Sequence, residues 1–301
     1  MILAIDIGNS SVSCGVYKNA VDTDLTADAT CLCRFKIAEK HLSEDEYMLL
    51  IHQFLSLHGI RFHRPDARPN TSDGQWIDNP YMDDQPLSDI QDVGMLNACV
   101  IASVVPSLTD TIARAAKRLT GVQPLLIGHG VRTGFGIKIQ NPEQLGADLV
   151  ANVAGAFLYV EPPFVVLDVG TATTLTYVSS QKEVLGTIIM PGIAVSMAAL
   201  TDSAALLSTV SLEKPQALLG RSTSESIRSG VIGGHALMID GFLRNIRETY
   251  PSDDKKLSLA ATGGLAPSIL PYCRNKFSYV ADLTLRGAVS LHIKNGPGKR
   301  L

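Results

Sequence analysis

The chain carries one short element twice. Ile2-Leu3-Ala4-Ile5-Asp6-Ile7-Gly8-Asn9-Ser10-Ser11 and Val165-Val166-Leu167-Asp168-Val169-Gly170-Thr171-Ala172-Thr173-Thr174 each run from aliphatic residues into an acid, one apolar residue, a glycine and small polar residues. Val, Ile and Leu suit a buried strand, and the glycine lets a backbone approach a ligand closely while offering main-chain N–H groups. One such element is an ordinary strand-to-turn transition. Two, separated by enough sequence for a domain, imply a duplicated α/β architecture with a nucleotide between the halves.

Length agrees with duplication, since 301 residues suggest two domains. The first is expected over 1–162 and the second over 163–301. With 46% apolar and 18% charged residues and a net charge of −3, the chain has no electrostatic footprint for nucleic acid. The N-terminus lacks the basic flank and apolar core of a signal peptide, and no apolar run is long enough to span a bilayer, so a cytoplasmic protein without membrane partners is expected. Cys14, Cys31, Cys33, Cys99 and Cys273 are odd in number and lack a C-x-x-C pair, the pattern of incidental reduced thiols.

Strands are expected at 2–7, 13–17 and 30–37, the first two as a hairpin around Gly8-Asn9. Ser43 with Glu46 caps a helix whose apolar spacing runs to Leu57, before Gly59. Residues 61–94 hold four prolines, seven Asp and few aliphatics; they read as an exposed insertion, within which Trp76 and Tyr81 can cover a site or meet a partner. A strand at 98–105, a helix at 108–119 and a short strand at 123–127 follow, then a loop over 134–142. The helix beyond it puts Asp148 and Asn152 four apart on one face. The second half repeats the pattern: strands at 164–169, 174–178 and 184–190, a helix at 193–207, one long helix at 224–250 interrupted by Gly230, Gly233 and Gly234, a strand at 258–262 and a closing helix at 283–293.

A phosphoryl-transfer site needs donors for phosphate oxygens, acids to hold a cation and a base for the attacking hydroxyl. Asp6 and Asp168 stand at strand ends, where they can position a cation. Gly8, Asn9, Ser10, Gly170, Thr171 and Thr173 can donate to phosphate, and Gly263-Gly264 can pass close to an adenine or ribose. Neither G-x-x-x-x-G-K-[ST] nor a strand-borne G-x-G-x-x-G is present, so this is neither a P-loop nor a dinucleotide fold. Asp148 is the candidate general base; from spacing alone it serves equally as a helix-N-terminal acid facing the macrodipole.

Eight pieces in order carry a family resemblance: D-I-G-N-S at Asp6, S-E-D-E-Y at Ser43, S-V-V-P at Ser103, N-P-E-Q-L-G-A-D at Asn141, D-V-G-T-A-T-T at Asp168, P-G at Pro191, L-G-R-S-T-S-E-S-I-R-S-G at Leu219 and A-T-G-G-L-A at Ala261. On these the chain resembles the type III pantothenate kinases of the actin-like superfamily, over nearly its whole length except the insertion. The resemblance implies two tandem actin-like (ribonuclease H-like) domains, each with a mixed sheet flanked by helices. It implies ATP-dependent phosphorylation of pantothenate to 4'-phosphopantothenate, the first step of coenzyme A biosynthesis, with Mg2+ and a monovalent cation, potassium or ammonium. By the same resemblance, the first loop, Asp6, Ile7, Gly8, Asn9, Ser10, Ser11, Val12 and Ser13, contacts ATP together with Thr171. Asp148 is the base, Asp168 the monovalent-cation ligand, and Ile139, Gly146, Ala147, Asp148, Leu149 and Thr223 line the pantothenate site. Family members are homodimers.

Three positions depart from the family pattern. Leu149 stands where an arginine is usual, Ile139 where a tyrosine is usual, and Thr176 where an acid is usual. A polar group of the ligand left without its partner costs about 1–3 kcal/mol, roughly tenfold to hundredfold in affinity. Lys138 and Arg221 are the candidate replacements. The alternative is a catalytically weak, nucleotide-binding relative with a regulatory role, or a kinase for another small hydroxylated substrate. A sugar or acyl kinase requires a larger second domain.

Overall fold

The computed structural model describes residues 1–18, 31–38, 41–60, 96–203, 213, 215, 217–251 and 257–296. The expected insertion at 61–94, with Trp76 and Tyr81, lies outside the described residues. The chain divides into two compact units, Met1–Leu126 and Ile127–Leu301.

In the first unit the aliphatic run of β1 (Ile2–Ile7) is buried nearly throughout, as a central strand requires. It pairs antiparallel with β2 (Val12–Tyr17), which pairs antiparallel with β3 (Cys31–Ile37). On its other side β1 runs parallel to β4 (Ala98–Ser103), and β4 to β5 (Leu125–Leu126), giving the order β3-β2-β1-β4-β5. Helix α1 (Glu44–Ser56) starts at the expected capping box: Glu46 N–H donates to Ser43 Oγ at 3.3 Å and Ser43 N–H donates to Glu46 Oε2 at 2.7 Å. Helix α2 (Pro106–Thr120) opens on a proline and closes on Gly121 at φ 71°. Tyr47, Ile51 and Leu55 of α1 and Ile112, Ala116 and Leu119 of α2 pack with Leu3, Ile5 and Ile7 in one core. Asp6 therefore lies on the sheet face opposite these helices.

The second unit repeats this sheet. β7 (Phe164–Val169) is antiparallel to β8 (Ala172–Val178), β8 to β9 (Glu183–Pro191), while β10 (Ser258–Thr262) runs parallel to β7 and β11 (Ser278–Tyr279) to β10. The order β9-β8-β7-β10-β11 matches that of the first sheet, with β6 (Gly136–Ile137) added parallel to β9. β6 falls within the expected loop at 134–142; two residues acquire strand character from a partner, not from propensity. The same holds for β11.

Helices cover both faces of this sheet. On one side α4 (Ile193–Ser203), α5 (Thr223–Arg228), α6 (Gly234–Thr249) and α7 (Ala266–Ile269) pack against Val165, Leu167, Val169 and Leu175. The long helix expected at 224–250 is continuous through a π-helical turn, Ser229–Gly233, between α5 and α6. On the other side α3 (Ala147–Ala156) and α8 (Leu283–Asn295) bury Val153, Ala156 and Leu283 against Phe164, Val166 and Ala260. Residues 127–162, grouped from sequence with the first domain, pack here with the second unit through β6 and α3. α3 and α8 approach closely because Gly155 and Gly287 face each other's backbones: a Cβ on Gly287 would overlap the Ala151 carbonyl oxygen, and one on Gly155 that of Leu283.

Candidate active site

The two Asp-x-Gly elements form turns of different construction. After β1, Gly8 N–H donates to Ser11 O at 3.1 Å, closing a turn with Asn9 and Ser10 exposed at its tip. Ile7 and Val12 are fully buried in the core, and Ser11 and Ser13 are half-buried. Asp6 stands opposite Ser13 on β2 and Ala102 on β4.

After β7 the turn is only Gly170-Thr171. Gly170 N–H donates to Ala172 O at 3.0 Å, and Gly192 N–H donates to Thr171 O at 3.0 Å. A Cβ on Gly192 would overlap the Gly170 and Thr171 carbonyl oxygens, and one on Gly263, at φ 96°, would overlap the Val169 backbone. Pro191-Gly192 and Gly263 thus bracket the turn, leaving Thr171 exposed. Thr173 is placed differently from the expected row of phosphate donors. The strand starts at Ala172, so Thr173 points to the opposite face from Asp168 and Thr174; it is fully buried, its Oγ1 2.8 Å from His235 Nε2. Burial holds the His235 imidazole below its ordinary pKa.

Asp168 sits on the face under α3 and α8, opposite Thr174 on β8 and Thr262 on β10. Its Oδ2 accepts from Asn152 Nδ2 at 2.8 Å, and Asn152 Oδ1 accepts from the Thr284 hydroxyl at 2.6 Å. Burial pushes the Asp168 carboxyl up to about 6, against the Asn152 hydrogen bond and with the Asp148 charge adding to the rise. Asp148 is the second helical residue of α3, where its Oδ1 accepts from Leu149 N–H at 2.7 Å. Burial raises its pKa too, opposed by that backbone hydrogen bond. The expected pairing of Asp148 with Asn152 on one face of α3 is therefore present, and that face meets Asp168.

The residues expected to line the pantothenate site differ in exposure. Leu149 is buried, Ala147 is buried, Gly146 caps α3, and Ile139 is half-buried against the α3-side core. Lys138 Nζ lies 3.8 Å from Glu183 Oε1 at the surface. Thr223 is exposed at the first turn of α5, capped by Ser222, while Arg221 N–H donates to Glu225 Oε2 at 2.9 Å. Thr176, in the place of the expected acid, is buried with its hydroxyl 3.1 Å from that of Thr187. Among the described residues no group of three or more His, Cys, Asp or Glu side chains is placed to hold a metal ion. Asn152 and Thr284 were not foreseen as site residues; helical spacing placed the first, but Thr284 is 132 positions away in sequence.

Residues 2–245 match the profile of a family described as type III pantothenate kinase. A protein of Shouchella clausii named type III pantothenate kinase is 35% identical over 98% of this chain and 100% of its own length. One of Anaeromyxobacter dehalogenans with the same name is 33% identical, over 98% of this chain and 100% of that protein. Among solved structures, a Baf family protein of Campylobacter jejuni superposes with a TM-score of 0.51 at 20% identity, covering 97% of this chain and 98% of its own, a likeness of fold.

Proposed function

From the premise that the chain belongs to the type III pantothenate kinase family, we propose how its residues divide the transfer of a phosphoryl group from ATP to pantothenate. The chain is a kinase of coenzyme A biosynthesis with the two-unit actin-like fold. Full-length similarity to named kinases does not favour the regulatory alternative.

Asp148 takes the proton from the pantothenate hydroxyl while that oxygen bonds to the γ-phosphorus and the bond to the β–γ bridging oxygen breaks, releasing ADP. The observation that carries this role is the place of Asp148, in the first turn of α3 and one turn before the Asn152–Asp168 contact, where burial raises its pKa and favours a base. Within the first unit, the Asp6–Ser13 turn presents Asn9 and Ser10 as exposed donors for phosphate, and within the second unit Thr171 is exposed; each is a contact for ATP, which kinases use with Mg2+.

Asp168 holds the monovalent cation, potassium or ammonium. Its surroundings fit such an ion. Opposite it the Thr174 hydroxyl is buried and, among the described residues, makes no hydrogen bond, so a second oxygen stands beside the carboxylate. A bound cation supplies positive charge there and stabilises the ionised Asp168. Thr223, Gly146, Ala147, Leu149 and Ile139 border the pantothenate site, which is more apolar than the family pattern.

A second copy of the chain is the partner. Leu237 and Met238 on α6 and Val195 and Leu200 on α4 are exposed apolar side chains, candidates for burial against another copy. No described helix is long and apolar enough to cross a membrane, and the five cysteines are free thiols, as a reducing cytoplasm maintains. Potassium dependence tests the cation assignment: Asp168→Asn is expected to lose potassium or ammonium activation, and a wild-type potassium response in that variant removes Asp168 from the role.

A further inference from the structure

Asn152 lies one helical turn beyond Asp148 and is 1% exposed. Its two amide atoms are both used, and their assignment is forced. An ionised carboxylate only accepts, so Asn152 must present Nδ2 to Asp168 Oδ2, at 2.8 Å. Its Oδ1 is then an acceptor, and the Thr284 hydroxyl donates to it at 2.6 Å. With Oδ2 engaged, Asp168 Oδ1 lies on the turn side of the carboxylate, 3.7 Å from the place a Cβ on Gly170 would occupy.

The fold brings these groups together at a close helix crossing. Gly155 meets the backbone of Leu283, the residue before Thr284, and Gly287 meets that of Ala151, the residue before Asn152. Each larger side chain at those glycines would push α8 away and open the Thr284–Asn152 contact.

We propose that Thr284 and Asn152 form a positioning relay that fixes the orientation of the Asp168 carboxylate, committing Oδ2 to the protein and Oδ1 to the Gly170-Thr171 turn. Both act through Asp168. The relay rests on the reading of Asp168 as cation ligand only for its consequence in catalysis, since the contact itself is a feature of the second unit alone.

The test uses the full-length enzyme. Thr284→Val removes the hydroxyl at similar volume, and Thr284→Ser keeps it. Two readouts are taken: the rise in melting temperature on replacing choline chloride by potassium chloride with Mg2+ and a non-hydrolysable ATP analogue, and the potassium concentration giving half-maximal activity. Thr284→Val is expected to raise that concentration about tenfold, and Asn152→Leu about tenfold to hundredfold, the usual range for outer partners of a metal ligand. Both should also shrink the potassium-dependent rise in melting temperature, while Thr284→Ser keeps wild-type values. Potassium responses at the wild-type value in Thr284→Val and Asn152→Leu, with only a lower melting temperature, would mean that these residues merely pack, and would overturn the relay. If Asn152→Leu does not fold, the Thr284→Val and Thr284→Ser pair decides alone.

A urea double-mutant cycle of Thr284→Val with Asp168→Leu separates this from the cation reading. Non-additive stability changes are expected because the relay couples the two sites, and additive ones contradict it. Loss of the cation role in Asp168→Asn, by contrast, leaves the predicted coupling unchanged.

Discussion

Asp6 and Asp168 hold equivalent positions in two copies of one sheet topology, yet their surroundings differ. In the first unit the acid stands on the face away from α1 and α2, beside a turn closed by the Gly8–Ser11 hydrogen bond. In the second, α3 and α8 roof the acid, Asn152 grips one of its oxygens, and Gly192 and Gly263 pack against its turn. Duplication fixes where a carboxylate is delivered. What the unit places over it sets its chemistry: under α3 and α8, burial pushes the Asp168 carboxyl up to about 6.

The roof makes the largest prediction one of pH. The folded-state pKa of Asp168 lies above its ordinary value of 3.8, so its contribution to stability is full below that value and is lost as pH rises through about 6. Without potassium, wild type should lose on the order of 3 kcal/mol relative to Asp168→Asn between about pH 4 and pH 7, from 1.36 kcal/mol per pKa unit. Parallel urea-denaturation profiles for the two proteins would show that burial does not load this acid.

The bracketing of the second turn comes next. Gly192→Ala places a Cβ against two carbonyl oxygens, and overpacking of this kind costs about 1–3 kcal/mol, whereas a Cβ on Gly8 meets nothing nearer than Ser11 O at 3.5 Å. A clear drop in melting temperature is expected for Gly192→Ala but not for Gly8→Ala. Equal drops would erase the distinction between the packed and open turns.

Smaller still, and expected in KM, not stability, is the effect of Gly8→Ala and Gly170→Ala. Both positions have room for a Cβ within the protein, the nearest atom to that on Gly170 lying at 3.6 Å. Each variant should keep its fold and raise the KM for ATP, since the added methyl stands where phosphate approaches. An unchanged KM in one of the pair would assign ATP to the other turn.

The smallest effect belongs to the surface cluster of Glu44 with Arg114 and Arg118, at 2.7 and 3.2 Å. The two arginines hold the Glu44 carboxyl below its usual pKa, but the group is exposed to screening. Glu44→Ala should leave kinase activity unchanged, with any stability loss vanishing in high salt.

Local patterns made much of this legible. The capping box at Ser43 and the aliphatic runs of β1 and β7 are signals within a few residues, and those elements formed where expected; α2, expected over 108–119, begins earlier at Pro106 and closes on Gly121. Helical spacing alone puts Asp148 and Asn152 on one face, as α3 has them. Other features depend on distant partners. β6 and β11 are two-residue strands made by pairing, and Thr284 reaches Asn152 only because two glycines let α8 close on α3. The row Thr171-Ala172-Thr173-Thr174 read as one set of hydroxyls, but strand geometry turns Thr173 inward to His235 while Thr174 faces Asp168's side.

The central claim is that Asp148 is the base of an ATP-dependent pantothenate kinase. Mass spectrometry of 4'-phosphopantothenate formed from ATP, Mg2+, potassium and pantothenate, run on wild type and Asp148→Asn, tests it most directly. The account predicts product from wild type and a fall in kcat of about 10²–10⁴-fold in Asp148→Asn, with binding of a non-hydrolysable ATP analogue retained. Absence of product from wild type, or turnover by Asp148→Asn within a few-fold of it, would contradict the account.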